Sequence, residues 1–240
     1  MNKHATASAP VDRLQAAYAE KSADYYEYPR PEMAQRLPAG ARRVLDVGCG
    51  GGAFGAALKK NNGCEVWGVE FEEKSAAQAA QRLHRVSRES FETTRDLPEK
   101  YFDAIFFNDV LEHMVDPAFT LTAAARLLAP GGKVIASIPN IAFFPILWRL
   151  AVRGEWTYTE RGTLDRTHLR FFTRSSIARL FTDAGYAVER LDGINDFIQM
   201  QPGDRRLWQY YRPLRLIPSR CVHDLRYLQF AVVAGRAPTT

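Results

Sequence analysis

The chain has 240 residues, enough for one large α/β domain or two small ones, and its 46% of hydrophobic residues can fill a single core. Its net charge of +5 is uneven: residues 141–174 carry six Arg against three acids, and residues 204–226 carry six Arg against two Asp. The basic character is therefore confined to two late segments, which argues for local surface and against a nucleic-acid-binding tail.

In chain order, residues 1–10 ("MNKHATASAP") are small and polar and read as a disordered tail. Residues 11–40 carry apolar residues at helical spacing broken by Pro29, Pro31 and Pro38, which predicts N-terminal helices. "RRVLDVG" (42–48) reads as a strand, Ala53–Lys60 as a helix closed near Gly63, and "CEVWGVEF" (64–71) as a second strand. A helix over 73–84 and a weak strand at 84–88 follow, then a near-continuous apolar strand, "FDAIFFND" (102–109). Asp116 as N-cap and Pro117 at the first helical position open the next helix. Its anchors are Phe119, Leu121, Leu127 and Leu128, and Pro130-Gly131-Gly132 closes it. "KVIASIPN" (133–140) is a buried strand and "TRSSIARLFTDAG" (173–185) a helix with Gly185 just past its end. "YAVERLD" and "YLQFAVVAG" (227–235) read as the last strands. Such alternation implies a doubly wound, mostly parallel sheet with ligands at the carboxyl ends of its strands.

Cys49, Cys64 and Cys221 form no C-x-x-C pair and no metal-ligand spacing, as expected of a reduced, cytoplasmic protein. The first residues lack the apolar core of a signal peptide. The longest apolar run, "IAFFPILW" (141–148), stops at Arg149, short of the ~18 residues of a membrane span.

The stretch "LDVGCGGGAFG" (45–55) is a ligand loop with two readings. From Gly50 it is G-x-G-x-x-G, the dinucleotide pattern; from Asp46 it is D-x-G-x-G-x-G. A carboxylate two residues before the first glycine would repel a pyrophosphate. It would tolerate S-adenosylmethionine, which carries a sulfonium, an ammonium and one carboxylate. Glu70, ending the second strand, would accept two ribose hydroxyls in either case.

"VLDVGCGGGAFG", "GVEFEEKSAAQAA", "FDAIFFNDVLEHMVDP" and "RLLAPGGKVIASIPN", in this order and spacing, resemble the class I S-adenosylmethionine-dependent methyltransferases over residues 40–195. "GTLDRTHLRFFTRSSIARLFTDAGY" (162–186) is similar to bacterial methyltransferases of O-antigen and surface-polysaccharide biosynthesis. The resemblance implies a Rossmann-like, seven-stranded sheet with helices on both faces and an antiparallel last strand. It implies one methyltransferase domain over 11–240, with N-terminal helices (11–40), a substrate-side insertion (141–172) and a basic aromatic segment (200–227). S-adenosylmethionine would be the cofactor and S-adenosylhomocysteine the product. Gly48, Gly50 and Gly52 would line the methionine part with Asp46 close by, Glu70 would bind the ribose and Phe71 would pack on the adenine. Asn108 and Asp109 would border the sulfonium. Many relatives place an Asp after the third strand to receive the adenine amino group; here Ser90 stands there beside Glu89, so that contact falls to Glu89, Ser90 or backbone.

Methyl transfer to a hydroxyl needs a base, whereas an amine needs only to arrive neutral. His168, in "LDRTHLRFF" with Asp165 and Arg170, is the first candidate base and His113, in "DVLEH", the second. Arg170 would grip an acceptor phosphate or carboxylate; the plain alternative is a surface salt bridge. In some quinone O-methyltransferases the set matching Asp109, Glu112 and His113 is thought to hold a divalent metal; the main reading assigns none. The expected acceptor is a sugar or polysaccharide-precursor hydroxyl or amine, with a lipid-linked saccharide as one form. The alternatives are a quinone-type O-methyltransferase, a dinucleotide oxidoreductase and a non-catalytic cofactor-binding module. The Arg- and aromatic-rich stretch 205–227 reads either as a cover over the sheet or as a weak peripheral membrane contact.

Overall fold

The computed structural model describes residues 28–196 and 209–238. The expected tail 1–10, the helical stretch up to residue 27 and residues 200–208 of the basic segment lie outside them. Seven strands form one sheet: β1 (Arg43–Val47), β2 (Glu65–Val69), β3 (Arg85–Ser87), β4 (Phe102–Asn108), β5 (Leu128–Pro139), β6 (Tyr186–Asp196) and β7 (Tyr227–Arg236). Their order is β3-β2-β1-β4-β5-β7-β6, parallel except that β7 runs antiparallel to β5 and β6. The helices are α1 (Pro31–Ala34), α2 (Ala53–Asn62), α3 (Glu73–Ala80), α4 (Pro117–Leu127), α5 (Phe144–Trp148), α6 (Arg174–Asp183) and α7 (Arg220–Asp224).

Period-2 alternation divides the central strands between two cores. Leu45, Val47, Ile105 and Phe107 point to one face, where they meet Leu121 of α4 and Ile177 and Phe181 of α6. Val44, Ala104 and Phe106 point to the other, against Met33 of α1, Phe54 and Leu58 of α2 and Ala79 of α3. Each large side chain buried this way contributes roughly 1.5–3 kcal/mol.

The helix ends follow from local chemistry. Asp116 accepts from Phe119 N at 2.9 Å with Pro117 at the first position of α4. Thr173 and Ser176 form a reciprocal capping box on α6. Glu72 accepts from Lys74 N and Ser75 N at the start of α3.

Two expectations need correction. Phe119 is not a core anchor but 57% exposed; Pro117, Thr120, Leu121 and Ala124 face inward at helical spacing, and Phe119 falls off that stripe. Pro130-Gly131-Gly132 is no loop after α4. β5 already begins at Leu128, which pairs with Phe102, and the strand crosses an irregularity before Ala104 pairs with Lys133. At Gly132 a Cβ would lie 2.8 Å from Phe102 O, so the glycine admits the neighbouring backbone.

Gly68 makes the packing in β2 testable: a Cβ there would meet Cys49 Sγ at 2.6 Å and Leu83 Cδ1 at 2.8 Å. Gly68→Ala is expected to lower the unfolding free energy by about 1–3 kcal/mol. Urea denaturation reads it, and an unshifted midpoint would show that the contact yields freely.

Candidate functional site

At the carboxyl ends of β1, β2 and β4 lies a cavity of about 410 Å³. Its walls include Asp46, Gly48, Cys49, Gly50, Glu70, Phe71, Ser90, Asn108 and Asp109. The loop after β1 is shaped by left-handed glycines. Gly48 has φ 67°, and a Cβ on it would sit 2.7 Å from Val110 Cγ2. Glu70 ties this loop to β2: its Oε2 accepts from Gly50 N and its Oε1 from Glu72 N, both at 2.9 Å. Burial raises the Glu70 pKa, and those two backbone N–H groups act against the rise.

Asp46 is treated differently. It is 2% exposed, and its Oδ2 has no hydrogen-bond partner among the described residues. Burial, and then the nearby charge of Glu70, push its pKa up to about 8, while Arg30 pulls the other way. Both polar atoms of the Asn108 amide are likewise buried at the cavity wall without a partner among the described residues. These orphaned groups, beside a cavity within the usual ~300–1,000 Å³ range for small-molecule sites, are complementary to a polar ligand bearing positive charge.

Asp109 adopts φ 56°, and its carboxylate is fully engaged. Oδ2 accepts from Arg30 Nη1 at 2.5 Å, and Oδ1 accepts from Gln229 Nε2 at 2.6 Å and Ser137 Oγ at 3.0 Å. Asn195 Nδ2 donates to Gln229 Oε1 at 2.6 Å and extends the network. Burial opposes the Arg30 charge, but Asp109 and Glu32 outweigh it and hold its pKa above the ordinary value. Arg30, Gln229, Asn195, Phe91 and Met114 also line the cavity, and of these Arg30, Gln229 and Asn195 are marked by no motif. "YPRP" around Arg30 carries only a proline signal, and Gln229 lies in a strand 120 residues beyond Asp109.

Of the catalytic candidates, His113 lines the cavity. His168 stands behind it, buried, with the two rings edge to face at a centroid distance of 4.7 Å. His113 Nδ1 meets Thr167 O and His168 Nδ1 meets Thr163 O, each at 3.0 Å. A carbonyl only accepts, so both Nδ1 atoms donate. His168 Nε2 is 3.9 Å from Glu112 Oε1. Glu112, His113 and His168 offer ligand atoms all within 4.8 Å of one another, a donor set suited to a divalent metal. Asp109, engaged by Arg30 and Gln229, is not in this set.

The remaining expected residues lie off the cavity wall. Asp165 is fully buried, and its Oδ1 accepts from Thr167 N and Oγ1, ordering the turn that presents His168. Arg170 is exposed and donates to Val115 O and Leu169 O. Gly52, at φ 81°, closes against α3, where a Cβ would lie 3.0 Å from Ala79 Cα.

A family model described as a methyltransferase domain matches residues 13–191. A ubiquinone biosynthesis O-methyltransferase of Thiobacillus denitrificans is 34% identical over 169 residues, 66% of this chain and 70% of that protein. Among solved structures, an Archaeoglobus fulgidus SAM-dependent methyltransferase superposes with a TM-score of 0.61 at 17% identity, covering 94% of this chain and 99% of that one. The Burkholderia thailandensis 1,6-didemethyltoxoflavin-N1-methyltransferase, with bound 1,6-didemethyltoxoflavin and S-adenosylhomocysteine, gives 0.62 at 17% identity over 98% and 93% of the two chains.

The state of Asp46 can be read without ligand. Its folded pKa of about 8 exceeds the unfolded value of about 3.9, so the folded state holds the proton more tightly. That contribution is present at low pH and is lost as pH rises through this window, by up to about 1.4 kcal/mol per unit. Asp46→Asn is expected to melt above the wild type at pH 8, with the gap closing towards pH 4. A gap independent of pH would mean that Asp46 is charged throughout.

Proposed function

The chain belongs to the methyltransferase-domain family and is an S-adenosylmethionine-dependent enzyme, and from that premise we propose that it methylates a hydroxyl oxygen of a small quinone-type acceptor. One observation carries the proposed chemistry: His113 lines the cavity with its Nδ1 donating to Thr167 O, an arrangement in which the neutral ring accepts a proton at Nε2. The names of curated relatives, O-methyltransferases of ubiquinone biosynthesis, support this acceptor class. The sugar, polysaccharide and lipid-linked saccharide acceptors expected from residues 162–186 have no such support.

The residues present fit the cofactor. Bound S-adenosylmethionine supplies a methyl group already activated on a sulfonium. Asp46 and Asn108 would gain partners for their buried atoms from its methionine end, and Arg30 would face its carboxylate. Glu70, with each oxygen already accepting one backbone N–H, keeps lone pairs for the ribose hydroxyls. Phe71 and Phe91 would flank the adenine, with Glu89 and Ser90 at its rim. His113 would take the acceptor proton, and His168 and Thr167 would hold its ring in place.

The Glu112–His113–His168 cluster favours a second reading in which those side chains hold a divalent cation that polarises the acceptor oxygen. Chelation separates the two. Turnover that survives exhaustive chelator treatment supports His113 as base, and turnover that is lost and restored by a divalent cation supports the metal.

Three outcomes are expected. Catechol-type acceptors yield S-adenosylhomocysteine and sugars do not; the reverse pattern would return the saccharide reading. Glu70→Ala weakens S-adenosylmethionine binding at least about tenfold in calorimetry, because hydrogen bonds to a charged group are worth ~1.5–3 kcal/mol. His113→Ala lowers kcat by about 10²–10⁴ with cofactor affinity intact. A His113→Ala enzyme of near wild-type rate alongside a crippled His168→Ala would give the base role to His168.

A further inference from the structure

Seven of the twelve large apolar side chains exposed among the described residues fall in two stretches, with Leu150, Val152, Trp156 and Tyr158 in one and Tyr210, Leu216 and Ile217 in the other. Leu216 is 85% exposed. The stretches are held side by side. Trp148 stacks on Tyr210 at a centroid distance of 4.3 Å, and Phe144 meets the buried Tyr211 at 5.3 Å. Both leave the sheet at one edge: β5 ends at Pro139, and antiparallel β7 begins beside it, with Pro139 in register with Gln229. β4 runs parallel to β5 and ends at the same edge with Asn108 on the cavity wall.

Cations are interleaved with these apolar groups. Arg149, Arg153, Arg212 and Arg220 are exposed and form no ion pair among the described residues. Glu155 is the single acid in residues 144–158, and residues 209–220 contain none. Isolated exposed apolar residues need no explanation, but a cluster of them among arginines without an ion pair, at the strand ends that also carry the cavity, does. Its charge is complementary to lipid phosphates, and Trp, Tyr and Leu suit headgroup depth.

We propose that this face docks the protein reversibly on an anionic lipid surface, with the cavity edge turned towards the bilayer. Arginines would meet the phosphates, while Trp156, Leu216 and Ile217 would enter the headgroup layer. The inference does not rest on which acceptor is methylated. Each arginine near an anionic leaflet favours the bound state about fivefold, and the attraction fades beyond a Debye length of about 8 Å at physiological salt.

Co-sedimentation of the full chain with vesicles tests it. Binding to phosphatidylglycerol vesicles at low salt, lost at high salt and absent with phosphatidylcholine, is the expected result. Arg149→Glu combined with Arg153→Glu, and separately Leu216→Asp, should each weaken that binding about tenfold or more. Unchanged S-adenosylmethionine affinity in both variants would certify their folds. Equal, negligible binding to both vesicle types at low salt would overturn the proposal, as would undiminished binding by both variants. Concentration-dependent dimerisation without lipid, abolished by the same substitutions, would assign the face to a second copy instead.

Discussion

The cavity depends on how two buried carboxylates at adjacent strand ends are satisfied. Glu70 is answered by backbone: the N–H groups of Gly50 and Glu72 each give it a hydrogen bond. That answer requires the β1 loop to fold back towards β2, which is why left-handed glycines crowd residues 48–52. Asp46 is left incomplete, buried with an unpartnered oxygen and a pKa raised to about 8. A buried carboxylate without a partner is costly, and a ligand cation beside it offsets that cost. In the proposed reading, the positive end of S-adenosylmethionine supplies the partner that Asp46 lacks.

The same strand edge gathers everything else. Arg30 closes onto Asp109 from the N-terminal side, and Gln229 reaches the same carboxylate from β7. β7 is antiparallel, so it starts where β4 and β5 end. The segment after β5 returns to the turn that follows β4, where Leu169 N and Arg170 N donate to Glu112 O. Through that return, His168 stands against His113 although 55 positions separate them. The segment after β5 thus forms the histidine pair, and antiparallel β7 brings Gln229 of the arginine network and the second apolar stretch to the same end of the sheet.

The parallel half of the fold was legible because its signals are local. Apolar runs give β1, β2 and β4, Asp116-Pro117 marks the start of α4, and Gly63 and Gly185 mark helix ends by left-handed backbone. The limits of β5 were not legible: Pro130-Gly131-Gly132 looks like a turn in any window, and only pairing with Phe102 makes it strand. The glycine loop and Glu70 could be read as a ligand site because their spacing is itself the geometry. Arg30, Gln229 and Asn195 could not, since each enters through a tertiary contact that leaves no pattern. His168 and His113 were both visible as chemistry, but which of them borders the cavity is decided by the fold of residues 159–172, where Asp165 and Thr163 set the histidine inward.

If Asp46 receives the cofactor's positive charge as proposed, binding must lower its pKa and expel its proton. Calorimetric titration of the wild type with S-adenosylmethionine, repeated at pH 7 in buffers of different ionisation enthalpy, counts that proton directly. The account predicts a release approaching one proton per cofactor, fading above about pH 9, where Asp46 is already charged in the empty protein. A binding enthalpy independent of the buffer would contradict it, because Asp46 would then keep the same protonation state with and without the cofactor.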